Sequence, residues 1–394
     1  MTARLVRPSW TEAREAAHAA GLAARRPAEV VPLRAAAART LGADVRSLTR
    51  VPGFDASAMD GWAVAGDGPW TLGDPVVAGP VVPSAPLRAG QARPITTGAV
   101  VPVGADRVLR SESGRLEAGR LVDGGDPGRR HPRHVRLAGE EAEPGDLLFA
   151  AGTTLTPPRL AVAAVCGLDE VTVVRQPRAA LAVLGDEVTG SGIPAAGTVR
   201  DVFSPSVPDI LRSLGAVCDS AARAPDDLDE TVEALGRSDV DLLITTGGTA
   251  HSSTDHVRAA LDRLGAELVV EGVAMRPGQP LLLARRPGIL HLCLPGNPMA
   301  ALTCLVAIGV PLVDGLLGRP QTRPGSVSLA VDVEHPRPGV LLQAYRLDDE
   351  GLARPVARQS SAMLRGLAEA DGLLVVPQGG ARRGDPVRSL ALPW

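Results

Sequence analysis

Three short apolar runs, each breaking off into a polar loop, constrain this chain more than any other feature. Asp241 to Asp255 reads DLLITTGGTAHSSTD. Leu242, Leu243 and Ile244 suit a buried strand, and Gly247-Gly248 supplies backbone that can turn sharply and come close to a ligand. Leu181 to Asp186 (LAVLGD) leads into Glu187, and Ile289 to Leu294 (ILHLCL) leads into Pro295-Gly296-Asn297-Pro298. In an open sheet wound with helices, ligands sit where strands release their loops at the carboxyl edge, so these three loops are expected to share one rim. A lone Gly-Gly is usually an ordinary turn. Three such loops in one segment carry matching chemistry: glycine N–H groups for phosphate, and Asp186, Glu187 and Asp255 for a divalent cation that accompanies it.

A chain of 394 residues exceeds one ordinary core and predicts about two to four domains. Its net charge of −3 excludes a general attraction to nucleic acid or membrane, so any anion site must be local. All 41 basic residues are Arg, and Asn297 is the only Asn. Cys166, Cys218, Cys293 and Cys304 are scattered, three of them in or beside apolar runs. They read as buried thiols with neither zinc nor disulfide spacing. Ser9 to Ala24 is charged and amphipathic, and no apolar span runs uninterrupted for about 20 residues. A cytoplasmic protein is expected.

Along the chain, Trp10 to Ala24 and the Ala-rich Val31 to Leu41 are helix candidates. Val51 to Val135 is rich in Pro and Gly with short runs such as Trp62-Ala63-Val64 and Arg107-Val108-Leu109, which predicts a small β-rich domain. In it, Asp55 and Asp60 stand among small residues that would let a ligand approach, and Ile95 to Ala99 adds two hydroxyls and a glycine, although a turn followed by a strand end would give the same pattern. Gly128 to Arg136 is a basic loop, a candidate anion contact or solvated surface. Pro157 to Cys166 reads as a helix. Beyond Pro177, strands at Ala179 to Leu184, Leu242 to Thr245 and Ile289 to Leu294 alternate with helices near Ser206 to Leu214, Leu228 to Leu235, Thr254 to Leu264 and Met299 to Leu317. That alternation predicts an α/β unit with a mainly parallel sheet. Runs at Val327 to Val333, Val340 to Tyr345 and Gly372 to Val376 predict a closing β domain. His251 and His256 flank Asp255, but His, Asp and His from one loop is not a recognised zinc pattern.

Taken together, VPGFDASAMDGWAV (Val51 to Val64), ITTGAVVPVGADRV (Ile95 to Val108), GEEAEPGDLL (Gly139 to Leu148), GDEV (Gly185 to Val188), the Gly-Gly loop, AMRPGQP (Ala274 to Pro280), LPGNP (Leu294 to Pro298) and QSSAML (Gln359 to Leu364) resemble the MoeA family nearly end to end. These are the molybdopterin molybdenumtransferases that correspond to the E domain of gephyrin. The resemblance implies an enzyme that binds adenylylated molybdopterin, inserts molybdate at its dithiolene and releases AMP with the help of magnesium. It implies Asp60, Thr97, Glu187 and Asp255 as catalytic residues, the three acids also holding the metal. Gly247, Gly248, Thr249, Pro295, Gly296, Asn297, Pro298, Arg276, Gln279, Arg346 and Ser361 are implied as substrate-binding. Four parts are implied: a discontinuous elongated domain (1–50 and 136–176), an inserted β-rich domain (51–135), a three-layer α/β domain like that of the molybdopterin adenylyltransferases (177–318), and a C-terminal β-barrel-like domain (319–394). A homodimer is implied, with the site in the cleft between subunits, Asp60 and Thr97 facing Asp255 across it. An adenylyltransferase or an apo-molybdoenzyme is an implied partner.

The chain also departs from the family's pattern. The Gly-Gly loop carries Thr249 and Ala250 in place of an apolar residue and a hydroxyl, and it lacks a later glycine. The family's GED reads Gly139-Glu140-Glu141, and its DSN reads Asp201-Val202-Phe203. Two family lysines align with Arg276 and Gln279, and a serine with Ala300. Loss of one charge-assisted hydrogen bond predicts oxyanion binding weaker by roughly ten- to a hundredfold. The alternative is therefore a weakened paralogue that holds the pterin, or docks a partner protein, without efficient insertion.

Overall fold

The computed structural model describes residues 4–80, 85–125, 133–249 and 256–394. At its centre lies a seven-stranded sheet that runs, edge to edge, Leu5–Val6, Glu267–Glu271, Leu282–Arg286, Ile289–Leu294, Leu242–Thr246, Arg178–Leu184 and Val217–Ala224. The three apolar runs are its adjacent parallel strands, Ile244 registering with both Leu181 and Leu292. Strand alternation sorts their side chains between two cores. Leu181, Val183, Leu242 and Ile244 pack with Ile210 and Leu211 of the helix Val207–Leu214, whereas Ala182, Leu184 and Leu243 pack with Val257 and Leu261 of the helix Val257–Arg263. Three layers result, as expected.

After Asn297 the chain runs helical from Pro298 to Leu316, with a π segment at Leu305–Gly309. Pro311 explains the irregularity, since it has no N–H for the Ala307 carbonyl one turn earlier. Arg14 Nη1 donates to that carbonyl instead at 2.7 Å, its guanidinium stacked on Trp10 at 5.0 Å. Burial pushes the Arg14 guanidinium down to about 10, opposed by Asp314. Among the described residues this 19-residue helix is the one long and apolar enough to cross a membrane, and it is 94% buried as the core helix of the α/β unit.

The expected helix forms at Trp10–Ala23, and it packs along that core helix and beside the strand Glu267–Glu271. Gly21 and Gly315 meet there backbone to backbone: a Cβ on Gly315 would lie 2.2 Å from the His18 carbonyl oxygen, and one on Gly21 equally close to that of Leu312. The opening strand and helix thus pack with the α/β unit. Val31 to Leu41 is not a helix. Ala28–Pro32 is a strand antiparallel to Glu170–Val174, a single 3-10 turn follows at Leu33–Ala35, and Leu41 bridges Val173. Long-range pairing overrides the helical preference of the alanines.

Gly61–Val64, Gln91–Ile95, Arg107–Arg110 and Thr71–Leu72 form a four-stranded sheet, joined to the rest through Ala56–Ser57 paired with Val135–Arg136. The last sheet takes its first strand, Met275–Arg276, from the α/β unit and continues through Val340–Leu347, Gly372–Val376, Pro386–Ala391 and Gly325–Ser328. Ala353–Pro355 pairs with Val340–Leu347 and bridges Leu329, closing the ring in the expected barrel-like manner.

Candidate functional site

The three parallel strands release their loops side by side. Gly247 continues the ladder by donating to the Leu294 carbonyl at 3.1 Å, and a Cβ on Gly296 would touch the Gly247 Cα at 3.4 Å. Gly247 itself has φ +94°, and a Cβ there would stand 2.7 Å from the Leu184 carbonyl oxygen. At the third loop, Gly185 leaves the space that the Glu187 carboxylate fills, since a Cβ on it would lie 2.5 Å from Glu187 Oε2. Gly247→Ala is therefore expected to cost about 2 kcal/mol or more, from the left-handed backbone and the carbonyl contact together, read as a lower thermal unfolding midpoint.

The loops line a cleft of about 620 Å³ that holds Glu187, Gly247, Gly248, Thr249, Gly296 and Asn297. Thr246 and Asp226 also line it, and sequence reasoning missed both. The Thr246 Oγ1 is buried without a hydrogen-bond partner, an unmatched polar group in a residue of the cleft lining. The signal for it was its place as the last strand residue before the glycines. Asp201, also in the lining, is occupied: its Oδ1 accepts from the backbone N–H groups of Phe203 (2.9 Å) and Ser204 (3.0 Å).

Past Pro280, Pro295 and Asn297, which line both, a second cavity of about 620 Å³ opens between the α/β unit and the C-terminal sheet. Arg276, Gln279, Ala300 and Ser361 line it, with His335, Arg337 and Gln359, which sequence reasoning did not single out. The Ala300 N–H donates to the Ser361 carbonyl at 3.1 Å, tying the helix start to the last domain. With its amide turned so that the carbonyl faces the guanidinium, Gln279 accepts from Arg7 Nε at 3.2 Å and from Arg7 Nη2. Arg346 is exposed on the strand Val340–Leu347 and lines neither cavity.

Asp60 and Thr97 are brought together. The Thr97 N–H and Oγ1 both donate to Asp60 Oδ1, at 2.7 and 3.1 Å, but neither residue lines either cavity. Asp55 organises its own loop, its Oδ1 accepting from Ala138 N–H at 2.8 Å. Asp255, Ala250 and His251 lie outside the described residues, as do residues 128–132 of the basic loop. Among the described residues no three His, Cys, Asp or Glu side chains form a metal-holding group. The cysteines are free, and burial pushes the Cys293 thiol up to about 11 and raises that of Cys304 as well, so neither acts as a nucleophile.

Three family models match consecutive stretches: "MoeA N-terminal region (domain I and II)" over residues 8–167, "Probable molybdopterin binding domain" over 180–315 and "MoeA C-terminal region (domain IV)" over 330–392. The molybdopterin molybdenumtransferase of Synechococcus elongatus is 32% identical over 377 residues, 89% of this chain and 91% of that protein. That of Bacillus subtilis is 30% identical over 368 residues, 86% of this chain and 84% of its own. A solved structure of the molybdopterin biosynthesis MoeA protein from Pyrococcus horikoshii superposes with a TM-score of 0.79 at 25% identity, covering 98% of this chain and 99% of the other.

Proposed function

Because this chain belongs to the MoeA family, we propose that its two adjoining cavities divide one reaction between them, the loop cleft taking the phosphates of adenylylated molybdopterin and the second cavity taking molybdate. The activity is that of a molybdopterin molybdenumtransferase, in molybdenum cofactor biosynthesis. One observation carries the division of labour: the glycine rim opens past Asn297 directly into a cavity whose ionisable lining residues, Arg276, Arg337 and His335, are all basic types, with no carboxylate among them.

In this reading the Gly247 and Gly248 N–H groups and the Thr246 hydroxyl face phosphate oxygens. Glu187 and Asp226 offer hard oxygen donors of the kind magnesium takes alongside phosphate, which suits an ion that uses one or two carboxylates and keeps its waters. Magnesium held there supplies charge neutralisation to the pyrophosphate. Arg276 holds the oxyanion; the dithiolene sulfurs displace an oxo ligand, which leaves with the two thiol protons as water, and a water molecule cleaves the pyrophosphate bond, leaving the pterin phosphate and releasing AMP. Asp60, with its Thr97 donors, completes the site from the partner subunit of a homodimer, and Asp255 belongs to the same constellation. We also propose the four-part division given above, with residues 4–23 reassigned to the α/β unit on the packing of the opening strand and helix.

Single-turnover AMP release tests the reading. Purified chain loaded with adenylylated molybdopterin and magnesium is expected to release AMP when molybdate is added and to retain it otherwise. Tight pterin binding without molybdate-dependent release would instead identify the weakened paralogue.

A further inference from the structure

The second cavity draws its basic lining from two parts of the chain, Arg276 from one side and His335 with Arg337 from the other. Gln279 stands where a lysine is expected, and its amide is engaged with Arg7. Opposite it, the turn from Glu334 to Gly339 (EHPRPG) brings His335 and Arg337 into the lining. That turn is pinned at both ends. Val333 bridges Ala381, Gly379 N–H donates to the His335 carbonyl at 2.8 Å, and Val340 N–H donates to the Ala274 carbonyl at 3.0 Å, beside the Met275–Val340 pair. The pairing of Arg276 with Leu341 fixes the arginine of one domain beside the turn of the other.

His335 is 4% exposed and is one of the residues lining the cavity, and its Nε2 has no hydrogen-bond partner. A buried polar atom left unmatched in an otherwise satisfied turn calls for a ligand. We propose that the cavity binds its tetrahedral oxyanion through Arg276, Arg337 and His335, the His335 ring taking up a proton from solvent as the anion enters and donating from Nε2. The turn thereby replaces the cation that Gln279 does not supply. The inference rests on the transferase reading for the identity of the anion.

The surroundings favour such uptake. Burial and the charges of Arg276 and Arg337 hold the His335 imidazole below its ordinary range, against a hydrogen bond to the Gly339 backbone that raises it. The charged groups facing it are those two arginines; the turn behind it, residues 377–381, has no ionisable side chain, and no carboxylate lines the cavity among the described residues. At neutral pH the free ring is therefore uncharged. A dianion among these groups offsets both arginines and stabilises the imidazolium. Affinity is then greatest at low pH and falls, by at most tenfold per pH unit, as pH rises from the pKa of the free ring toward that of the bound ring.

The test is calorimetric titration of the full-length chain with sodium molybdate across roughly pH 6 to 8.5, in buffers of different ionisation enthalpy. The unaltered chain is expected to bind with proton uptake and with weakening affinity as pH rises. His335→Gln is expected to abolish the uptake and flatten the pH profile. Arg337→Gln, at an exposed position that leaves folding intact, is expected to raise Kd by roughly ten- to a hundredfold at every pH. Molybdate binding by His335→Gln with an unchanged pH profile overturns the proposal, as does the absence of molybdate binding to the unaltered chain. AMP release from the same preparations separates the two readings. Molybdate-dependent release with His335-independent binding removes this inference and leaves the transferase standing. Binding that depends on His335 without any AMP release does the reverse.

Discussion

Mixing an Asp60→Asn chain with a Glu187→Gln chain is expected to restore about a quarter of the unaltered activity, although each variant alone is expected to fall by about a hundredfold or more. Asp60 sits with Thr97 beside the four-stranded sheet, whereas Glu187 fills its pocket beside Gly185 at the rim of the α/β unit, in a cleft that neither Asp60 nor Thr97 lines. If the site is shared between subunits, random pairing makes half the dimers mixed. Each mixed dimer then contains one site with both acids intact and one with neither. Both substitutions are isosteric. The amide oxygen introduced by Asp60→Asn would still accept from the Thr97 N–H, so only charge is removed. Co-expressing the two chains under separate tags and assaying AMP release from the doubly purified dimers, all of them mixed and therefore expected to show about half the unaltered activity, gives the answer. Mixed dimers as inactive as the single variants would place the acids in separate roles within one chain, and the shared-site proposal would fail.

The second large effect is on stability. Gly315→Ala and Gly21→Ala are each expected to destabilise the chain by about 2 kcal/mol or more, even though alanine is the better helix former by about 1 kcal/mol. The added methyl on Gly315 meets the His18 carbonyl oxygen and the Leu22 nitrogen, the latter at 2.7 Å, and backbone atoms of a neighbouring helix cannot rotate aside. The two helices must separate. Separation uncovers Ala17 and Ala20 on one side and Leu312 and Leu316 on the other, all buried in the same core. Denaturant midpoints report the loss, and the double variant is expected to lose less than the sum, because the first methyl has already moved the helices apart. Full additivity would mean that the two glycines do not share this contact.

The rim of the site was legible in the chain because strand and loop chemistry there are local. Apolar runs at Leu181 to Leu184 and Leu242 to Ile244, and glycines at the strand ends, each act within a few residues, and the three strands lie side by side so that their loops share one rim as expected. The second cavity was only half legible. Arg276 and Gln279 stand in a recognisable stretch, but His335 and Arg337 occupy a proline-rich turn whose relation to Arg276 depends on a two-residue parallel pairing, Met275–Arg276 with Val340–Leu341. Two residues carry no periodicity. The same limit hid the strand Val217–Ala224, whose polar, Ala-rich composition suits an exposed sheet edge and not a buried run. Val31 to Leu41 erred in the other direction, since its alanines favour a helix locally while Glu170–Val174 supplies a strand partner from far along the chain.

That two-residue pairing reaches beyond geometry. Because the C-terminal sheet takes its first strand from the α/β unit, the seam between them is not a hinge between modules but part of both. A hybrid spliced from two relatives near residue 318 would take one wall of the cavity from each parent and inherit the register of neither. On the oxyanion proposal above, the last domain and the Ala274–Pro280 stretch would have to be exchanged together for such a hybrid to keep its anion site.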